Sequence, residues 1–176
     1  MKTNWWQMTL GMTMGLTAGV TLKDSFAQGV AAPPQGQKPL TIGDFPDLGK
    51  GLLATPGCVG IKVFSPDGGK QFVIMAWFEN KKAVEAWYYG KMHTEAMGKF
   101  FPGISPKPPL SGFKDEKAPI LMIASVTPSD KVLPGQKLAV SQIAIEAYTP
   151  VPGGVALGST FAPVGLKVPG LTRIGN

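Results

Sequence analysis

The sequence predicts an α+β domain, in which helices cover one face of an antiparallel β-sheet. Strand-like runs rich in β-branched residues alternate with turn residues, and a single long segment has helical periodicity. The chain has 176 residues and a hydrophobic content of 44%. This length fits one domain of common size, and this hydrophobic content excludes a disordered chain.

Residues 1–27 are predicted to be a signal peptide. Lys2 gives a short positive start, residues 5–22 are uncharged and mostly apolar or small, and Ser25-Phe26-Ala27 fits a signal-peptidase site before Gln28. The alternative is a retained anchor, since about 18 apolar residues approach the length of a spanning helix. The Thr and Gly content and the cleavage motif favour cleavage, hence a periplasmic or secreted protein without stable membrane insertion.

Cleavage would leave 15 basic and 10 acidic residues, a net charge of +5. Of these basic residues, 14 are Lys spread between positions 38 and 167, and Arg173 is the other. Dispersed lysines predict no nucleic-acid partner, because base readout favours clustered charge and arginine forks. One cysteine, Cys58, and one histidine, His93, exclude a disulfide framework and a Cys/His zinc cluster, so no metal site is expected.

The stretch before the first clear strand is weakly patterned. Residues 28–39 (QGVAAPPQGQKP) are predicted to be a flexible linker, and the main domain is predicted to cover 40–148. Leu40–Ile42 is read as a short strand. Asp44 is read as the cap of a helical turn over Pro46–Ala54.

A β-hairpin is predicted over 58–79. Its strands are CVGIKVF at 58–64 and QFVIMAWFE at 71–79, joined by the turn SPDGGK at 65–70. Pro-Asp-Gly favours reversal because proline presets one φ and glycine permits a positive φ.

One helix is predicted over 80–101, with Asn80 as N-cap and Pro102-Gly103 as terminator. At about 100° per residue it has one apolar face and one charged face. The predicted apolar face consists of Ala83, Ala86, Tyr89, Gly90, His93, Ala96, Met97 and Phe100.

The remaining chain alternates loops and strands. A Pro-rich loop at 102–119 leads to a strand at 119–126, and a loop at 127–137 leads to a strand at 138–148. Residues 149–176 are predicted to be a Gly/Pro-rich C-terminal tail.

The strands are apolar on both faces. In 71–79, Ile74, Ala76 and Phe78 point one way, and Met75 and Trp77 point the other. Too few helices are predicted to cover two faces, so the second face needs another cover. We expect a homodimer whose sheets pack face to face. The competing cover is the Gly/Pro-rich tail folding back.

His93 is the residue on which a functional prediction centres. It lies on the predicted apolar face among small residues, with Tyr89 one turn earlier and Trp77 on the preceding strand. A half-buried histidine titrates near neutrality, so it could act as a base, an acid or a ligand. The structural alternative is a core histidine hydrogen-bonded to a backbone carbonyl.

Four segments resemble the antibiotic-biosynthesis-monooxygenase-like family over roughly 40–126. They are Pro56-Gly57-Cys58-Val59-Gly60, Ala76-Trp77-Phe78-Glu79, Lys82-Ala83-Val84 and Trp87-Tyr88-Tyr89-Gly90-Lys91-Met92-His93. In the family a Trp-rich strand end precedes a helix that carries a histidine, and Trp77 and His93 match these positions. The resemblance implies a ferredoxin-like, dimeric α+β barrel that pairs sheet to sheet as a homodimer.

The resemblance implies a cofactor-independent oxygenase that acts on a small aromatic or quinol substrate. His93 would take a proton from the substrate, and Tyr89 would assist as the second catalytic residue. Trp77, Trp87 and Met97 are the expected substrate-binding residues. Haem-degrading members need an Asn on the first strand, whereas Asn80 and Asn176 are the only Asn after residue 27, which argues against haem degradation.

Two other functions stay open at this stage. One is a non-catalytic periplasmic binding protein that holds a small apolar ligand or haem in the same pocket. The other is a structural dimer whose pocket is filled by its own side chains.

Overall fold

A four-stranded antiparallel sheet forms the centre of the fold. The computed structural model describes residues 42–103, 107–132 and 137–175. Each strand pairs with the next one along the chain. The strands are β1 (Cys58–Phe64), β2 (Phe72–Phe78), β3 (Ile120–Pro128) and β4 (Val140–Tyr148). The predicted α+β class is confirmed, and the predicted signal peptide and linker lie outside the described residues.

The predicted hairpin is confirmed, because β1 and β2 pair in antiparallel register with Phe64 opposite Val73. A single 3-10 turn, Asp67–Gly69, closes it. Gly68 and Gly69 have φ of +65° and +90°, which glycine adopts without a steric penalty.

The segment before the hairpin differs from the prediction. Leu40 and residue 41 lie outside the described residues, and Ile42–Asp44 is a 3-10 turn rather than the end of a strand. Helix α1 (Leu48–Leu53) is capped by Asp47, whose Oδ1 accepts a hydrogen bond from the Lys50 backbone N–H at 3.0 Å. The N-cap of this helix is therefore Asp47, and the prediction of Asp44 as N-cap was wrong.

The single helix predicted over 80–101 is two helices, α2 (Lys81–Tyr88) and α3 (Lys91–Phe100). Asn80 caps α2 as predicted, since its Oδ1 accepts from the Ala83 N–H at 3.0 Å. Gly90 separates the helices with an extended ψ of 149°. The break shifts the rotational phase of α3 relative to α2. Tyr89, predicted on the apolar face, is the C-cap of α2 and is 61% exposed.

The helices pack on one face of the sheet and form two apolar clusters with it. In the first cluster, side chains from α1 and α2 meet Ala76 and Phe78 of β2. In the second, Phe100 of α3 is fully buried with Leu138 and Val140, and Phe45 stacks on its ring at 3.9 Å. Burial of these apolar surfaces is the main force that holds the helices on the sheet.

The tail covers part of the opposite face of the sheet. Its two short strands, β5 (Val155–Leu157) and β6 (Thr172–Ile174), pair in parallel. Phe161 packs edge-on against Trp77 with ring centroids 5.7 Å apart. Pro163 lies so close to Gly60 that a Cβ there would be 2.6 Å from Pro163 Cγ. The tail therefore covers part of this face, as in the second of the two predicted arrangements.

Strand order bears on the predicted ferredoxin-like arrangement. Ferredoxin-like sheets are built from split βαβ units, whereas the described strands are neighbours in chain order. Homodimerisation and the ferredoxin-like arrangement stay predictions.

Within the described residues, no helix has the length and apolar character needed to span a membrane.

Candidate functional site

An apolar cavity of about 200 Å³ lies between the helices and the sheet. Leu48 and Leu52 of α1 line one side, and Ile74, Ala76 and Phe78 line the sheet side. The other lining residues are Val84, Trp87, Tyr88, His93, Pro109, Met122, Ala124 and Ile145. His93 is the only one of these residues whose ordinary pKa lies near neutrality.

The helix break fixes the orientation of His93. The residue lies in the first turn of α3, and its Nδ1 is 2.7 Å from the backbone oxygen of Tyr88 in the last turn of α2. Carbonyls in the last turn of a helix lack intrahelical partners. Because a carbonyl oxygen only accepts hydrogen bonds, Nδ1 carries the hydrogen and donates it. In the neutral ring, Nε2 is consequently the unprotonated nitrogen.

Burial keeps this imidazole neutral. Desolvation by burial lowers the pKa of His93 below its ordinary value of 6.5, and the hydrogen bond to the Tyr88 carbonyl opposes this only in part. Among the described residues, Nε2 has no hydrogen-bond partner. The side chain therefore offers one hydrogen-bond acceptor, which is also a base, at the wall of an apolar cavity.

Aromatic rings and a loop enclose His93. The Trp87 ring meets it edge-on at 5.6 Å between centroids, and the Tyr88 ring lies 4.9 Å away. The Tyr88 hydroxyl donates to the Lys107 backbone oxygen at 3.2 Å. Lys81 holds the same loop through an ion pair with Glu116 at 3.2 Å. These contacts position the loop that supplies Pro109 to the cavity.

A second, open depression of about 530 Å³ adjoins the cavity, and we call it the α3 groove. Tyr88 and His93 line both the cavity and the α3 groove. The remaining lining residues are Tyr89, Thr94, Met97, Gly98, Phe101, Pro102 and Gly103. His93 thus lies where an enclosed apolar space and an open one meet.

The five predicted site residues fall into three places. Trp87 lines the cavity with His93, whereas Tyr89 and Met97 join His93 in the α3 groove. Trp77 lies on the other face of the sheet, 3% exposed beneath Phe161. Trp77 does not line the cavity beside His93, because side chains alternate along β2 and its neighbours Ala76 and Phe78 face the cavity instead.

Tyr88 is the residue that the sequence argument missed. A continuous helix would place it on the polar flank, but it contacts His93 through both its ring and its carbonyl. Gly90 was the available signal, since glycine within a helical pattern lowers helix stability by up to about 1 kcal/mol.

A further cleft, about 730 Å³, lies between the sheet and the tail. It is lined mainly by apolar side chains, including Trp77, Ile123, Phe161 and Leu166, and no His, Asp, Glu or Lys lines it.

Cys58 also offers little reactivity, because burial raises the pKa of its thiol. In the described ranges, no three His, Cys, Asp or Glu side chains converge as a metal site would require.

No protein-family model, curated protein or solved structure matches this chain.

Proposed function

We propose that the protein binds a small aromatic hydroxy compound in the cavity and that His93 accepts the proton of its hydroxyl group. The observation that carries this proposal is a neutral imidazole whose Nε2 has no partner within the described residues, at the wall of an otherwise apolar cavity. A phenolic hydroxyl supplies the donor that this nitrogen lacks, and its ring suits the apolar wall.

The size of the cavity limits the ligand to about one ring. An engineered apolar cavity of about 150 Å³ binds benzene, and the cavity beside His93 measures about 200 Å³. A phenol or a one-ring quinol therefore fits, whereas a polycyclic substrate does not.

The reaction that we propose is oxygenation without a cofactor, as the family resemblance implies. His93 takes the hydroxyl proton, and the resulting phenolate, richer in electrons, reacts with O₂. For phenol itself the balance is one phenol and one O₂ giving one quinone and one water. The ring loses four electrons, and one oxygen atom becomes the second quinone oxygen. Burial of a neutral base in an apolar site supports this chemistry.

Calorimetric titration with phenol and hydroquinone tests binding. We expect His93→Gln to weaken phenol binding by roughly 5- to 10-fold, as expected for loss of one hydrogen bond. Glu95→Gln is the matched control, because Glu95 is exposed on the same helix and lines neither space. Equal affinity in wild type and His93→Gln would remove His93 from the site.

Oxygen consumption with the same compounds tests catalysis. We expect O₂ uptake in wild type and Glu95→Gln, and a loss of at least 100-fold in His93→Gln, as is typical when a general base is removed. Turnover by His93→Gln at the wild-type rate excludes the mechanism. Phenol binding without O₂ uptake would instead support the alternative function, a non-catalytic binding protein.

Haem is the alternative ligand that the single histidine allows. The cavity matches one aromatic ring, so a tetrapyrrole does not fit there, and haem would have to lie in the α3 groove with His93 as its iron ligand. A Soret band on titration with haem that is lost in His93→Ala would support this alternative. A band that persists in His93→Ala would remove His93 as the ligand.

We also propose that the protein is exported and forms a homodimer, with the exposed apolar side chains of the tail at the interface. In support of the dimer, six large apolar side chains of the tail are each more than half exposed. They are Val151, Val155, Leu157, Phe161, Val164 and Ile174. Apolar surface of this extent on a soluble protein marks an interaction site.

Light scattering after size-exclusion chromatography tests the dimer. We expect twice the chain mass for wild type and the monomer mass for the double variant Leu157→Asp/Val164→Asp. Leu53→Asp is the control, since Leu53 is 56% exposed but belongs to α1. A monomeric wild type would exclude the dimer.

Mass spectrometry of the exported chain should give an N-terminus at Gln28.

A further inference from the structure

The cavity and the α3 groove share two lining residues, Tyr88 and His93. A ring seated in the cavity with its hydroxyl at His93 therefore has that hydroxyl next to the groove. Any substituent that leaves the cavity past His93 must start from a ring carbon close to the one that carries the hydroxyl. A substituent on the opposite ring carbon points away from the groove, toward the apolar wall.

The α3 groove suits an aliphatic chain. Met97 and Phe101 supply apolar surface, and its volume of about 530 Å³ exceeds that of the cavity. No Lys, Arg, Asp or Glu lines it. Nothing there attracts a charged substituent, and an alkyl chain would lose contact with water along Met97 and Phe101.

We propose that the ligand of this protein is a phenol or quinol that carries an unbranched alkyl chain on the carbon next to its hydroxyl. The ring occupies the cavity, and the chain occupies the α3 groove. This inference rests on the proposed function, and it adds the position and the nature of the substituent.

Calorimetric titration with phenol and with two alkylphenol series tests the proposal. For 2-alkylphenols from methyl to hexyl, we expect affinity to rise about twofold per methylene. Full burial of a methylene raises affinity roughly fourfold, and the twofold value corresponds to half of that free energy. For 4-alkylphenols, we expect affinity to fall with chain length. Equal slopes in the two series, or no slope in either, would overturn the inference.

Gly98 provides a variant that fills the groove. A Cβ at Gly98 would meet no atom within 4 Å, and Gly98 lies in α3, so Gly98→Leu places its side chain in open space and raises helix propensity. We expect Gly98→Leu to bind phenol as wild type does but to lose the affinity gained from the 2-hexyl chain, about 30-fold for five added methylenes at twofold each. Gly112→Leu is the control, because Gly112 also faces open space and lines neither the cavity nor the groove.

The outcomes separate this inference from the proposed function. If phenol does not bind, the proposed function fails. If phenol binds through His93 but Gly98→Leu retains the full chain-length effect, the proposed function stands and the placement of the chain in the groove is wrong.

Discussion

At the scale of single residues, the properties of His93 come from one neighbouring carbonyl and from burial rather than from its own position in the sequence. The Tyr88 carbonyl selects the tautomer, and burial lowers the pKa of the imidazole. The sequence is compatible with two alternatives, a core histidine bonded to a carbonyl and a pocket histidine. The structure combines them, because His93 makes the carbonyl bond and also lines a cavity.

The lowered pKa of His93 predicts a pH dependence of stability. The unfolded chain has the ordinary pKa near 6.5, so below this pH it binds more protons at this residue than the folded chain does. The contribution of His93 to the free energy of unfolding is therefore constant above about pH 6.5 and falls as the pH decreases through the folded-state pKa.

Urea unfolding of wild type and His93→Gln between pH 8 and 5 measures this effect. We expect the stability of wild type relative to the variant to decrease below about pH 6.5. Carboxylates titrate in both proteins and cancel in the difference. Parallel stability curves for the two proteins would contradict the lowered pKa.

At the scale of elements, the break at Gly90 decides the site. Sequence periodicity placed Tyr89 and His93 on one face of one helix. The break lies between them, and Tyr89 shares the α3 groove with His93 but does not line the cavity. The break also leaves the last carbonyls of α2 without intrahelical partners, and one of them, the Tyr88 carbonyl, accepts a hydrogen bond from His93. Periodicity could not predict this break, since a glycine is tolerated within many helices and its effect depends on packing.

The junction between β1 and α2 carries a prediction for Gly57. Its φ is +80°, and a Cβ there would lie 2.6 Å from the Cβ of Ala83 in α2. An L-residue in this conformation is strained by about 1–2 kcal/mol, and overpacking adds about 1–3 kcal/mol. We expect Gly57→Ala to lower the free energy of unfolding by about 2–5 kcal/mol in denaturant titrations.

Gly68→Ala is the control for the Gly57 prediction. Gly68 also has a positive φ, +65°, but a Cβ there meets nothing within 4 Å. We expect a loss of only about 1–2 kcal/mol, from the backbone conformation alone. If the two variants lost equal stability, close packing of β1 against α2 would not be the cause.

At the scale of the whole molecule, the second face of the sheet requires a cover, and the tail supplies part of it. The sequence identified the requirement from apolar side chains on both faces of β2. It could not choose between the tail and a partner sheet, because both bury the same surface. Contacts between residues distant in sequence, Trp77 with Phe161 and Gly60 with Pro163, place the tail on this face.

Loss of the Phe161 ring should expose Trp77. We expect Phe161→Ala to shift Trp77 emission to longer wavelength and to lower stability by about 1 kcal/mol, the value of an aromatic pair. Fluorescence in a Trp87→Phe background isolates the change at Trp77 from the other described tryptophan. Val164→Ala is the control, since Val164 is 96% exposed and should leave the emission unchanged. An unshifted spectrum in Phe161→Ala would show that the tail does not shield Trp77.

The sequence by itself determined the α+β class, the hairpin at 58–79, the Asn80 cap and His93 as the residue to examine. These features depend on local chemistry: alternation along strands, turn residues, capping groups and the rarity of histidine in this chain. Tertiary structure alone decided that the helix breaks at Gly90, that Tyr88 rather than Trp77 accompanies His93, and that the tail covers Trp77. Each of these depends on packing between distant segments, whose energies no local pattern contains.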